Sequence, residues 1–204
     1  MKHIFVQYWN EYSISYLCIV DKKEQIIQAA MKLLTENGVQ ATPMSAIAKA
    51  ANTGMGTIYN YFPTKEALIN AIYLHVKATE INLLGTALDE TKSLKIRLFH
   101  FYTAFVEFYL KYPLSFAFMD QFQSSPIISE ETRKEGKANF LPLFNLLKQG
   151  QKDGLIKEME LESLLQFLAG TITTFVRWVQ DQPKSHREAL LKQQWRMVWD
   201  AIKE

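Results

Sequence analysis

Hydrogen-bonding side chains, rather than nucleophiles or metal ligands, are the chemistry this sequence offers. Its four histidines, His3, His75, His100 and His186, stand at no HExxH or other ligand spacing, and the one cysteine, Cys18, adds little to them. There is no phosphate-cradling glycine loop and no G-x-S-x-G elbow. Carboxylates gather at helix starts and on polar faces, where capping and solvation account for them. No catalytic residue, metal or cofactor is expected. The contrast is Thr42–Lys65, TPMSAIAKAANTGMGTIYNYFPTK. Its apolar spacing leaves Met55, Thr57, Asn60 and Tyr61 outward with Tyr59 at the flank, a compact set of methyls, hydroxyls and an amide.

The elements that position this set read off in order. Thr42 is expected to N-cap a short helix with Pro43 at its first position, where a missing N–H costs nothing. Ile47, Ala48 and Ala51 give that helix a small apolar face. Asn52 stands where the chain must reverse, and Asn tolerates the left-handed conformation. Met55 to Phe62 predicts a second helix, with Ile58 and Phe62 inward at i, i+4. Pro63 stops it, and Thr64 caps a third helix beginning at Lys65. Two short helices about a tight turn form a helix-turn-helix, whose second helix enters a DNA major groove.

The run Ile47-Ala48, Ala51, Gly56-Thr57, Tyr59, Phe62 and Lys65-Glu66-Ala67-Leu68 resembles the DNA-binding domain of the TetR family of transcriptional regulators. Where the family usually has Gly at the turn and Ser shortly after it, this chain has Asn52 and Gly54, and Met55 replaces what is often a polar or basic residue. The resemblance implies that Thr57, Met55 and Asn60 reach base edges. It implies that Tyr59, Tyr61 and Lys65 meet phosphates, as do Thr42 and Ser45, and that Thr53 and Gly54 lie at the mouth of the recognition helix, where a phosphate is favoured. Met and Thr methyls suit a thymine methyl and Asn pairs bidentately with adenine, pointing to A·T-containing half-sites.

Net charge is only +2, and from Asp21 to Glu80 six lysines face five acids. DNA affinity must therefore come from a few placed donors, doubled by dimerisation, rather than from a basic field. The lone cysteine excludes an internal disulfide framework and fits a reducing cytoplasm, and no apolar run is long enough to span a bilayer. Residues 1–20 are aromatic-rich, without a signal-peptide pattern, and read as an N-terminal arm. The sharper expectation there is a natural start at Val20 from a GTG codon.

Asp21 and Glu24 open the first helix in a capping-box-like way, and Asn37-Gly38 closes it. After Lys65, apolar positions run through Leu68, Ile72, Val76 and Leu83/Leu84 in a long helix. Everything from Ser93 onward is also helix-periodic. A buried central helix covers Leu94–Tyr112; a short one ends at Phe122. Another opens at Ser129 and carries Pro142, expected to kink or break it. The last two run from about Glu160 to Gln182 and from a cap at Ser185. The fold class is all-α, with about nine helices. A three-helix DNA-binding domain (21–66) precedes a larger helical ligand-binding and dimerisation domain (67–204).

Phe101, Phe105, Phe108, Phe116, Phe118, Phe122 and Phe144 supply the aromatic excess that an apolar cavity between helices would need. In TetR-like proteins the body binds a small inducer, so a small apolar or aromatic effector is expected. The resemblance also implies a dimer interface on the last two helices, with Phe175, Trp178, Leu191, Trp195, Val198 and Trp199 as candidates, and a homodimer facing a palindromic site in double-stranded DNA. The expectation is a ligand-released homodimeric repressor. The alternative is a helical ligand-binding protein acting through a protein partner without specific DNA binding.

Overall fold

The computed structural model describes residues 21–82, 89–138 and 140–204. The arm at residues 1–20, the Val20 start and the Leu83/Leu84 pair lie outside them. Among the described residues ten helices form: α1 Lys22–Asn37, α2 Met44–Ala50, α3 Met55–Tyr61, α4 Lys65–Asn82, α5 Leu94–Lys111, α6 Pro113–Phe122, α7 Glu130–Ala138, α8 Leu141–Lys152, α9 Leu161–Val179 and α10 Lys184–Ile202. Among the described residues there is no strand, only an isolated bridge between Ile156 and Lys203. None of these helices is long and apolar enough to cross a membrane. The expected ninefold count becomes ten because Pro142 separates two helices: α7 ends at Ala138, and Pro142 sits in the first turn of α8, where its missing N–H is harmless.

The chain divides into two compact units, one ending at Ile72 and the other spanning Tyr73–Glu204. In the first, Ile26, Ile27, Ala30, Met31 and Leu34 of α1 are buried with Ile47 and Ala48 of α2 and Ile58 of α3. Asp21 caps α1 by accepting from the Lys23 amide at 3.1 Å. Gly38 ends it at φ 77°, its N–H bonded to Leu34 O. Thr64 accepts the Ala67 amide at 3.0 Å, capping α4 as expected.

In the second unit α5 is the central helix, touching α6, α8, α9 and α10. Leu98, Phe101, Tyr102, Val106, Phe108 and Tyr109 are its buried residues. Arg133 of α7 pins the preceding loop, its guanidinium donating to the carbonyls of Gln123, Ser125 and Ile128. The C-terminus closes over the α8–α9 loop: the Lys157 amide donates to Ile202 O and its Nζ to Ala201 O. One capping expectation is corrected. Ser185 does not cap α10, which begins at Lys184 with Pro183 as the preceding residue, so Ser185 lies inside the first turn.

Candidate nucleic-acid interface and apolar cavity

Backbone stereochemistry sets the turn between α2 and α3. Asn52 takes φ 47°, the one positive φ at a non-glycine among the described residues. Its amide reaches Lys49 O and the Thr53 amide reaches Ala48 O, the paired bonds of a Schellman motif. Ile58 and Phe62 are buried behind α3. Met55, Gly56, Tyr59, Asn60 and Tyr61 are then exposed, with Tyr59 48 % and Met55 37 % accessible. Thr57 and Thr53 are half-buried, while Ser45 and Gly54 are exposed. The α3 N-terminus has no side-chain cap, because Gly54 stands at that position.

Two residues expected at phosphates are otherwise engaged. Thr42 is buried, 1 % exposed, and its hydroxyl lies 2.7 Å from Gly38 O and 3.1 Å from Leu33 O. It neither caps α2, whose N-cap is Pro43, nor reaches the surface. A buried hydroxyl is retained where it finds an acceptor, and here the carbonyls at the end of α1 supply it. Lys65 donates its ammonium to Val39 O at 2.9 Å. Sequence reading passed over Lys49, an exposed cation in the last turn of α2; the signal was its position one turn before Asn52.

The second unit carries a half-open cavity of about 890 Å³, near the upper end of the range of small-molecule pockets. Leu98, Phe101, Tyr102, Phe105 and Tyr109 of α5 form one wall; Phe144 of α8, Leu168 and Ile172 of α9 and Trp195 of α10 form others. Phe105 stacks on Phe140 at 5.6 Å. Burial raises the Tyr102 hydroxyl pKa, so a neutral phenol lines the wall. Of the seven candidate phenylalanines, Phe101, Phe105 and Phe144 line this space. Phe108, Phe116, Phe118 and Phe122 do not. They are core, Phe108 against Tyr109 at 5.1 Å, Phe116 edge-on to Tyr109 and Phe118 against Phe122 at 4.8 Å. Tyr102, Trp195 and Lys77 are among the wall residues that helical spacing alone did not single out.

Residues 26–72 match the bacterial regulatory proteins of the tetR family, and residues 79–204 match the tetracyclin repressor-like C-terminal domain. The chain belongs to the TetR family. It is 28 % identical over 174 residues to the fatty acid metabolism regulator protein of Bacillus subtilis, covering 83 % of this chain and 89 % of that one. In fold it is similar to a TetR family transcription regulator from Marinobacter aquaeolei VT8, with TM-score 0.80 and 24 % identity over 90 % of this chain and 96 % of that one. It is similar also to the transcriptional regulator FadR from Bacillus subtilis, solved in complex with stearoyl-CoA, with TM-score 0.69 and 24 % identity over 85 % and 96 %.

A TetR-family chain is a transcriptional regulator that carries its DNA-binding helix-turn-helix at the N-terminus, here α2 and α3. The residues expected at a dimer interface fall in different places within the single chain. Phe175, Leu191, Trp195 and Val198 are buried in their own chain, and Trp195 faces the cavity. Trp199 is half-buried under the Lys95 ammonium at 5.2 Å. Trp178, 49 % exposed, is the candidate that stays on the surface. Phe167 on α9 and Met197 on α10 are exposed as well; a single apolar residue on a polar face leaves no periodic trace in the sequence.

Proposed function

We propose that this TetR-family regulator is a homodimeric repressor that leaves a palindromic operator when an elongated apolar ligand fills the cavity of its second unit. The observation that carries the reading is the cavity itself, about 890 Å³ and walled chiefly by aromatic and aliphatic side chains. The relative named for fatty acid metabolism and the neighbour solved with stearoyl-CoA support an acyl chain as the apolar body. Met55, Tyr59, Asn60 and Tyr61 on the open face of α3 are the groups for base edges and phosphates, with Ser45, Thr53, Gly54 and Thr57 around them. A two-fold dimer sets two such faces about one DNA turn apart, roughly 34–36 Å. Phe167, Trp178 and Met197 are the residues for that dimer contact.

The switch would act through α4, one helix that starts in the DNA-reading unit at Lys65 and passes the cavity at Lys77. A coupling of about 1–3 kcal/mol changes DNA affinity roughly 5–150-fold, enough for regulation. The test is titration of medium- and long-chain acyl compounds into the protein–operator complex. Release at saturating ligand supports the reading; ligand binding with no change in DNA affinity contradicts it. The exposed Met55 on an uncapped α3 supports a second reading, in which the chain acts through a protein partner.

A further inference from the structure

We propose that the cavity is built for a ligand whose apolar body ends in a neutral carbonyl (an ester, thioester or amide) and that Lys77 holds that carbonyl oxygen. The proposal rests on reading the cavity as an effector site and adds the chemistry of the head group. Among the described residues three charged side chains line the cavity: Lys77, Lys137 and Glu162. Lys137 and Glu162 pair with each other, each side chain 70 % exposed, so solvent screens them. Lys77 is different. Its side chain is 16 % exposed, and its ammonium sits 4.8 Å from the centroid of Phe140, another wall residue.

Behind Lys77 stands Glu80, which does not line the cavity. Its side chain is fully buried, one oxygen 3.0 Å from the Lys77 ammonium and the other accepting the Tyr109 hydroxyl. Burial, then the charge of Glu80, raises the Tyr109 pKa well above its ordinary value, so the phenol stays neutral. Lys77 and Glu80 therefore cancel.

That cancellation selects the head group. An ammonium has three donors and Glu80 engages one, so donors remain while the charge is already matched. A carboxylate head would add an uncompensated negative charge among apolar walls, which is costly. A carbonyl oxygen accepts a charge-assisted hydrogen bond and adds no charge. Phe101, Phe105, Phe140, Leu168 and Ile172 take the body.

The test compares methyl octanoate, octanoate and pentylbenzene by calorimetry on the full-length protein and on Lys77→Met/Glu80→Gln, a double change that leaves no unpaired buried charge. The wild type should bind the ester more tightly than octanoate. The double variant should lose on the order of tenfold in ester affinity, the worth of a hydrogen bond to a charged donor, and none for pentylbenzene. Equal ester affinity in the two proteins, or tighter binding of octanoate, overturns the head-group assignment while the apolar cavity stands. Binding of none of the three overturns the effector reading and the assignment with it. If the double variant does not fold, infrared spectra of carbonyl-labelled methyl octanoate on the wild type decide: a carbonyl stretch lowered from its value in hydrocarbon supports Lys77, and an unshifted band overturns it.

Discussion

Lys65 Nζ donates to the Val39 carbonyl at 2.9 Å, so the first residue of α4 ties that helix to the loop after α1. A cation at a helix N-terminus opposes the macrodipole, and the carbonyl offsets that cost. Lys65→Ala should therefore act on stability. A part-buried charged hydrogen bond is worth about 1 kcal/mol after screening, a fall in melting temperature of about 2–4 °C. The salt slope of DNA binding should stay the same. Thermal unfolding and anisotropy across a salt series read the two effects apart, and a flatter slope with unchanged melting would return Lys65 to the phosphates.

Gly54 invites a gain. Its φ of −81° suits any residue, and a Cβ there meets nothing within 4 Å. Gly54→Ser should place a hydroxyl on the free amides of α3 and stabilise the protein by a few tenths of a kcal/mol. Denaturant unfolding would show a small rise in midpoint at constant m-value.

How much of this was legible in the sequence depends on how local the cause is. The turn at Asn52, the stop at Gly38 and the cap at Thr64 are decided within a few residues by stereochemistry, and all three were read correctly. Thr42 misled because its type suits a cap, whereas its hydroxyl reaches back to carbonyls on α1. Phe105 and Phe108 share one helix, yet the first lines the cavity and the second is buried against Tyr109 and Tyr112. Only the neighbouring helices determine which is which. Trp178 and Trp195 divide likewise between surface and interior.

Gly136 of α7 is a close-approach glycine: an added Cβ would lie 2.7 Å from Tyr73 Cε1 and 3.3 Å from Lys77 Cγ. Tyr73 is buried and cannot swing away freely. Gly136→Ala should displace α7, which carries the cavity residues Lys137 and Ala138, at about 1–3 kcal/mol of stability. Calorimetry should show weaker ligand binding together with the lower melting temperature.

Tyr109 gives a pH signature. Its folded pKa is raised, first by burial and then by Glu80. A raised pKa means stability fully present below the unfolded value of about 10 and lost as pH climbs beyond it. Tyr109→Phe should cost about 1–3 kcal/mol near neutrality, since Glu80 loses a buried donor. The gap between the two proteins should narrow above pH about 10, measured by urea unfolding; a constant gap would contradict the assignment.

Trp178→Glu probes assembly. The ring is exposed in the isolated chain, so the substitution should leave the fold intact. Sedimentation should show a dimer for the wild type and a shift towards monomer for the variant, with operator affinity falling in parallel.

Fluorescence anisotropy of the protein with DNA from around its own gene, against a scrambled duplex and across a salt series, tests specific DNA recognition most directly. Tight, salt-sensitive binding that prefers its own promoter is the predicted result. Equal binding to both duplexes, or none at low salt from a folded protein, would contradict it and favour a protein partner.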